Sequence, residues 1–209
     1  MLEPTAKIKA VYEKPFRLSY VVTLAEHQLS SSLHVQNTST LDVLEFQALF
    51  HSYIRAPATD VIVGPLWNKS YYDKTEPTEE GRASAKLETR TSVDVKVFTD
   101  SVYEDASQHY EVTWPGGGLA VRSNELKDLV IWNPQRENGM KLSDMEEGGW
   151  YVLPPSTYPY FISHTSRREH FVCVEPGHVR GFVKLEPGKT WIGQQVLTVI
   201  HDEKKLNHL

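Results

Sequence analysis

Cysteine is nearly missing: Cys173 is the only one in 209 residues, which excludes an internal disulfide and points to a reducing compartment. Long hydrophobic runs are missing too, and none approaches the ~20 residues a membrane-crossing helix needs. The opening segment, MLEPTAKIKAVYEKPFRLSY, has no apolar stretch between its charges and reads as no secretory signal, so a cytosolic protein is expected. Neither sign of charge dominates. With 22 Lys+Arg against 27 Asp+Glu the net charge is -5, and no basic cluster could neutralise a run of phosphates. That excludes a general nucleic-acid binder but not one small phosphorylated ligand, which needs only a few placed cations. Gly116-Gly117-Gly118 follows Trp-Pro with no helical pattern after it, so it is no nucleotide loop. There is no Gly-x-Ser-x-Gly elbow, and the nine histidines lack metal-binding spacing. Cys173 lies in an apolar stretch, a poor setting for a nucleophile.

What is present is strand. Residues 16–24 and 29–36 alternate around the polar connection Ala25-Glu26-His27-Gln28, a hairpin. Residues 44–54 read as one long strand with few polar interruptions, as if covered on both faces. Val93, Val95 and Val97 alternate with Asp94 and Lys96. Residues 109–114 and 119–122 flank Pro115-Gly116-Gly117-Gly118, and 182–185 and 191–200 flank Glu186-Pro187-Gly188-Lys189. Segments 129–132 and 171–175 are short apolar strands, 73–90 a long surface loop, and 142–147 the one helical hint. Strands at this spacing, joined by Gly/Pro turns, predict an all-β antiparallel sandwich.

A few polar residues stand out against that frame. His51 shares a strand face with Leu49 and Tyr53, where an imidazole either packs in a groove or serves as a general acid. Glu175 ends the apolar run Phe171-Val172-Cys173-Val174, and Glu175-Pro176-Gly177 reads as a turn. Burial behind that run would raise its carboxyl pKa and make it a better base, whereas exposure would leave a turn residue. Glu186-Pro187-Gly188 repeats the tripeptide after an amphipathic strand, so Glu186 is read as surface. The segment 66–74, LWNKSYYDK, interleaves aromatics with amide and charged groups, suiting a sugar site or plain packing. Asp100, taken alone, is a strand-end cap residue.

In chain order these pieces resemble the hexose-6-phosphate mutarotases, or glucose-6-phosphate 1-epimerases, a branch of the aldose 1-epimerase superfamily. The run from Leu44 through Leu49-Phe50-His51-Ser52-Tyr53 is similar to that family's Leu-His-Thr-Tyr strand. Val63-Gly64-Pro65-Leu66 with Tyr72-Asp73-Lys74 resembles its Gly-Leu…Tyr-x-Asp-Lys element. Phe98-Thr99-Asp100-Ser101-Val102-Tyr103 is similar to Glu-Thr-Asp-Arg-Val-Tyr. Leu129-Val130-Ile131-Trp132-Asn133-Pro134 and Val172-Cys173-Val174-Glu175 match Val-Trp-Asn-Pro and Val-Cys-Val-Glu.

The resemblance implies a large antiparallel β-sandwich of the galactose mutarotase-like supersandwich type, with the sugar in a groove on one sheet. It implies His51 as general acid, Glu175 as general base, and Asp100 and Lys74 as binders of a hexose 6-phosphate. No metal or cofactor and no nucleic-acid or membrane partner is implied, and a cytoplasmic monomer is expected. The implied reaction interconverts the α and β anomers of D-glucose 6-phosphate by ring opening. An epimerase for unphosphorylated aldoses and a non-catalytic carbohydrate-binding sandwich are the alternatives. Residues 1–209 read as a partial domain, incomplete at the N-terminus, because family members carry further starting strands with phosphate-holding arginines. A chain without them is expected to show open sheet edges, reduced stability and low activity. Residues 151–170 read as an insertion, either translated intervening sequence or a surface lid.

Overall fold

The first hairpin forms as its alternation requires. Strand β1 (Phe16–Leu24) pairs antiparallel with β2 (Gln28–Asn37), from Phe16 opposite Asn37 to Leu24 opposite Leu29. The computed structural model describes residues 1–139 and 171–200, so the helix expected at 142–147 and the whole 151–170 segment lie outside the described residues. Helix α1 (Ala6–Val11) precedes the hairpin. After it come β3 (Leu44–Leu49), β4 (Tyr53–Arg55), β5 (Ile62–Gly64), β6 (Ser70–Asp73), α2 (Glu79–Ala83), β7 (Ala85–Leu87) and β8 (Val93–Asp94). Then follow β9 (Thr99–Tyr103), β10 (His109–Trp114), β11 (Gly117–Asn124), β12 (Asp128–Asn133), α3 (Gln135–Gly139), β13 (Phe171–Leu185) and β14 (Thr190–Ile200).

Every pairing between these strands is antiparallel, and they make two sheets of seven. One runs β1-β2-β14-β11-β10-β5-β8, the other β3-β13-β12-β9-β6-β7 with β4 also on β13. The main core unites Val63, Tyr110, Val112 and Val121 of the first sheet with Tyr103, Leu129, Ile131, Val172 and Val174 of the second. A second cluster, including Val35, Leu44, Leu185 and Trp191, fills the other end. The sandwich is therefore as expected. On β1, at the border of the first sheet, Tyr20, Val21, Val22 and Leu24 are exposed.

Several local expectations are corrected. The 44–54 strand is two strands, β3 and β4, interrupted at Phe50-His51-Ser52, and it is open on one face: Glu45, Gln47, Leu49, His51 and Tyr53 are exposed. Glu175-Pro176-Gly177 is no turn, because β13 runs straight through it to Leu185 between β12 and β3. Proline has no N–H for a ladder, so it is tolerated inside a sheet only where the neighbouring strand asks for none. The strand opposite breaks at that level. The pieces read as 171–175 and 182–185 are thus one strand, with a register shift between His178 and Val183. The 73–90 loop contains α2 and β7; Thr78 caps α2 by accepting from the Gly81 amide, ahead of Glu79 and Glu80 in the first turn. In the 91–98 stretch only Val93–Asp94 is strand, and Val97 is exposed while Val93 and Val95 are buried.

At Gly177 β13 and β3 approach closely, leaving no room for a side chain. A Cβ there would lie 2.8 Å from the Leu49 Cβ and 3.1 Å from the Ala48 carbonyl oxygen. Gly177→Ala should therefore lower stability by about 1–3 kcal/mol, read from the denaturant midpoint. An unchanged midpoint would show that β3 can move aside.

Candidate active site

Register on the second sheet brings the polar residues to one face. Asp100 of β9 stands opposite Trp132 of β12, which stands opposite Cys173 of β13, which stands opposite Tyr53 of β4. One step along lie Val102, Val130 and Glu175. Leu49 opposite Gly177 and Tyr53 opposite Cys173 enclose equal lengths of chain, so His51 faces Glu175. The Lys74 amide donates to the Asp100 carbonyl at 2.7 Å and brings Lys74 to the end of the first row. All four residues expected in the site therefore share one face, and within it the His51 and Glu175 side chains meet. His51 Nδ1 and Glu175 Oε1 are 3.2 Å apart, with half of the imidazole exposed and the carboxyl side chain 5% exposed.

An aromatic wall surrounds this pair. The His51 and Tyr53 rings stack at 4.8 Å, and Trp132 stands edge-on to both, at 5.9 and 6.3 Å. Phe171 packs on Tyr53 and Trp132, at 5.3 and 5.9 Å. Such a wall suits the C–H face of a pyranose and displaces water from the carboxyl beneath it. Burial pushes the Glu175 carboxyl up to about 8, and the nearby Asp100 charge adds to the rise. Asp100 is raised by burial and, more weakly, by Asp73, against the pull of Lys74. The Cys173 thiol is pushed far up by burial and then by Glu175, so it stays a thiol and no nucleophile.

His51, Cys173 and Glu175 place one ligand-type atom each within 4.8 Å of the others. A divalent ion there would need both Cys173 and Glu175 to give up protons that burial holds on them.

Lys74 lies 5.5 Å from the Tyr72 ring centre and donates from Nζ to the Arg82 carbonyl at 3.2 Å. Of the aromatics in 66–74, Tyr72 stands in the row of Val102, Val130 and Glu175, Tyr71 stacks on the core residue Tyr103, and Trp67 is exposed. Lys69 is engaged by the Asp105 carbonyl at 2.6 Å. Glu186 is exposed in its turn.

Sequence reasoning missed Arg180, whose guanidinium lies 3.9 Å over the Tyr72 ring while its Nε donates to Glu104 at 2.8 Å. It also left out the wall residues Trp132, Tyr53 and Phe171. Period-two alternation from Glu175 back to Phe171 carried the signal for Phe171. A concavity of about 640 Å³ lies elsewhere, along β13 and β14 at His178, Phe182, Lys184 and Trp191. Its lining brings Glu125 near His178 without an ion pair between them among the described residues, whereas His51 and Glu175 are in direct contact.

Solved structures share this architecture. YeaD of Salmonella typhimurium, described as a candidate mutarotase, superposes with a TM-score of 0.75 at 17% identity over 96% of this chain and 59% of its own. A galactose mutarotase related enzyme from Lactobacillus acidophilus gives 0.70 at 14% identity over 95% of this chain and 66% of its own. Slr1438 of Synechocystis gives 0.68 at 14% identity over 96% and 60%. At such identities the likeness is one of fold, and the chain spans 59–66% of the length of these three structures. The aldose 1-epimerase family model matches residues 2–198, and the chain belongs to the aldose 1-epimerase family.

Proposed function

We propose that the protein interconverts the α and β anomers of D-glucose 6-phosphate and related hexose 6-phosphates. The observation that carries this is the His51–Glu175 contact at 3.2 Å, set in an aromatic-walled groove beside Asp100. Glu175 takes the proton of the C1 hydroxyl as His51 protonates the ring oxygen, and the C1–O5 bond breaks to leave the open aldehyde. Rotation about C1–C2 turns the other carbonyl face toward O5. Reclosure returns the O5 proton to His51 and the Glu175 proton to O1, giving the other anomer and restoring both groups. Asp100 accepts from sugar hydroxyls. The imidazolium–carboxylate pair and the neutral imidazole–carboxylic acid pair hold the same number of protons, so a proton that burial keeps on Glu175 passes to His51 before the carboxylate acts as base.

The order of five motifs favours the hexose-6-phosphate branch, and Lys74 beside Asp100 brings a cation to the groove. Lys74 and Arg180 both have partners within the protein, which makes an unphosphorylated aldose the second reading. Exchange NMR between anomeric protons, with the purified 209-residue chain, separates the two. Acceleration over the uncatalysed rate, larger for glucose 6-phosphate than for glucose, is expected. Equal or greater acceleration of glucose would move the assignment to unphosphorylated sugars. Saturable sugar binding with no acceleration would leave a carbohydrate-binding sandwich.

A further inference from the structure

The break that carries His51 has a covalent origin. Phe50 N–H donates to the Pro176 carbonyl at 3.0 Å, as in a regular ladder, but proline cannot return the bond. The Phe50 carbonyl takes the Ser52 N–H instead, at 2.9 Å, closing a three-residue turn with His51 at its centre. Val174 N–H still donates to the Ser52 carbonyl at 3.2 Å, so β13 holds both ends of the turn. A third tie comes from the other sheet. The Ser52 hydroxyl donates to Gln195 Oε1 at 2.9 Å, and Gln195 of β14 is 3% exposed, one of few buried polar residues. A buried amide is retained in a core only where its hydrogen bonding is met. This one spends an acceptor on the residue next to His51.

We propose that Gln195 is a positioning residue, anchoring the Phe50–Ser52 turn from the opposite sheet so that the imidazole of His51 meets the Glu175 carboxyl. The proposal rests on the acid role given to His51. Gln195 touches no reacting atom and acts through Ser52 alone.

Gln195→Leu and Ser52→Ala each remove the tie, Ser52→Thr keeps a hydroxyl, and the Ser52→Ala/Gln195→Leu double variant removes both partners. Exchange rates for glucose 6-phosphate should fall about 10–100-fold in Gln195→Leu and Ser52→Ala, in kcat with KM little changed. The double variant should fall no further than the singles, and Ser52→Thr should retain most activity. An independent readout is the Nδ1/Nε2 tautomer of His51, read by ¹⁵N NMR of the sugar-free protein at fixed pH. It should shift in Gln195→Leu and Ser52→Ala and stay put in Ser52→Thr. A role in packing alone would lower the melting temperature while leaving kcat and the tautomer unchanged, and that result overturns the proposal. If the wild type accelerates no anomer exchange the functional reading fails, whereas the tautomer still decides whether Gln195 sets the imidazole.

Discussion

Replacing Glu175 by Gln should remove nearly all anomer exchange and, at the same time, make the protein more stable at alkaline pH. The rate loss expected for deleting a positioned general base is about 10²–10⁴-fold. The stability effect has its own sign. Burial raises the folded-state carboxyl from 4.5 to about 8, so the folded protein holds this proton more tightly than the unfolded chain does. Its contribution is complete below about pH 4.5, shrinks as pH rises, and is lost as pH passes about 8, where a carboxylate must sit in the aromatic-walled groove. An amide of the same shape never ionises. Denaturant unfolding at pH 6 and pH 9 should therefore show Gln gaining on the wild type by a few kcal/mol at most across that range. Parallel stability profiles would mean that the carboxylate is accommodated in the groove and that burial is not what sets its affinity. Wild-type exchange should likewise decline above about pH 8, where Glu175 gives up the proton it holds and none remains to reach O5 through His51.

The residues that made this site legible are those whose neighbours in sequence kept period two. Asp100 and Glu175 reach one face because β9 and β13 alternate through them, and His51 joins them because the turn between β3 and β4 keeps the register of its flanking strands. Hairpins at 16–37 and 109–124 were legible because Gly and short polar turns sit between alternating runs. The tripeptide Glu-Pro-Gly marks the limit of local reasoning. At 186–188 it is a turn, with the Gly188 φ at 72°; at 175–177 it is mid-strand, covered on both sides by β12 and β3. The apolar run before Glu175 hints at its burial but not at strand continuity, because that lies in a partner strand that breaks where the proline needs it to. That hidden continuity also concealed Arg180. It follows the misread turn and precedes Gly181, whose φ of 80° accompanies the register shift, so no alternation could assign its face. Helix α2 was overlooked for a different reason: at five residues it is too short for a period to show, and only its Thr78 cap announces it.

His51→Ala should reduce exchange by about 10²–10³-fold, and combining it with Glu175→Gln should add little further loss. Ring opening needs a proton to arrive at O5 as another leaves O1. Once either partner is gone, the remaining group offers one half of a coupled transfer, and its own removal takes away little. The 3.2 Å contact makes that coupling direct, because it puts the two groups within reach of one proton transfer. Stability should respond differently. The imidazole is half exposed at the rim, so its loss costs packing on Tyr53 and Trp132 but opens no buried void, and the midpoint should fall by about 1 kcal/mol or less. Circular dichroism with exchange NMR on the two single variants and the double variant measures both quantities. Losses that multiply, each variant lowering the rate by its own full factor on the other's background, would show two independent contributors rather than one acid–base unit. The groove would then be binding sugar through Glu175 and His51 separately, and the concerted transfer between O1 and O5 would have to be abandoned.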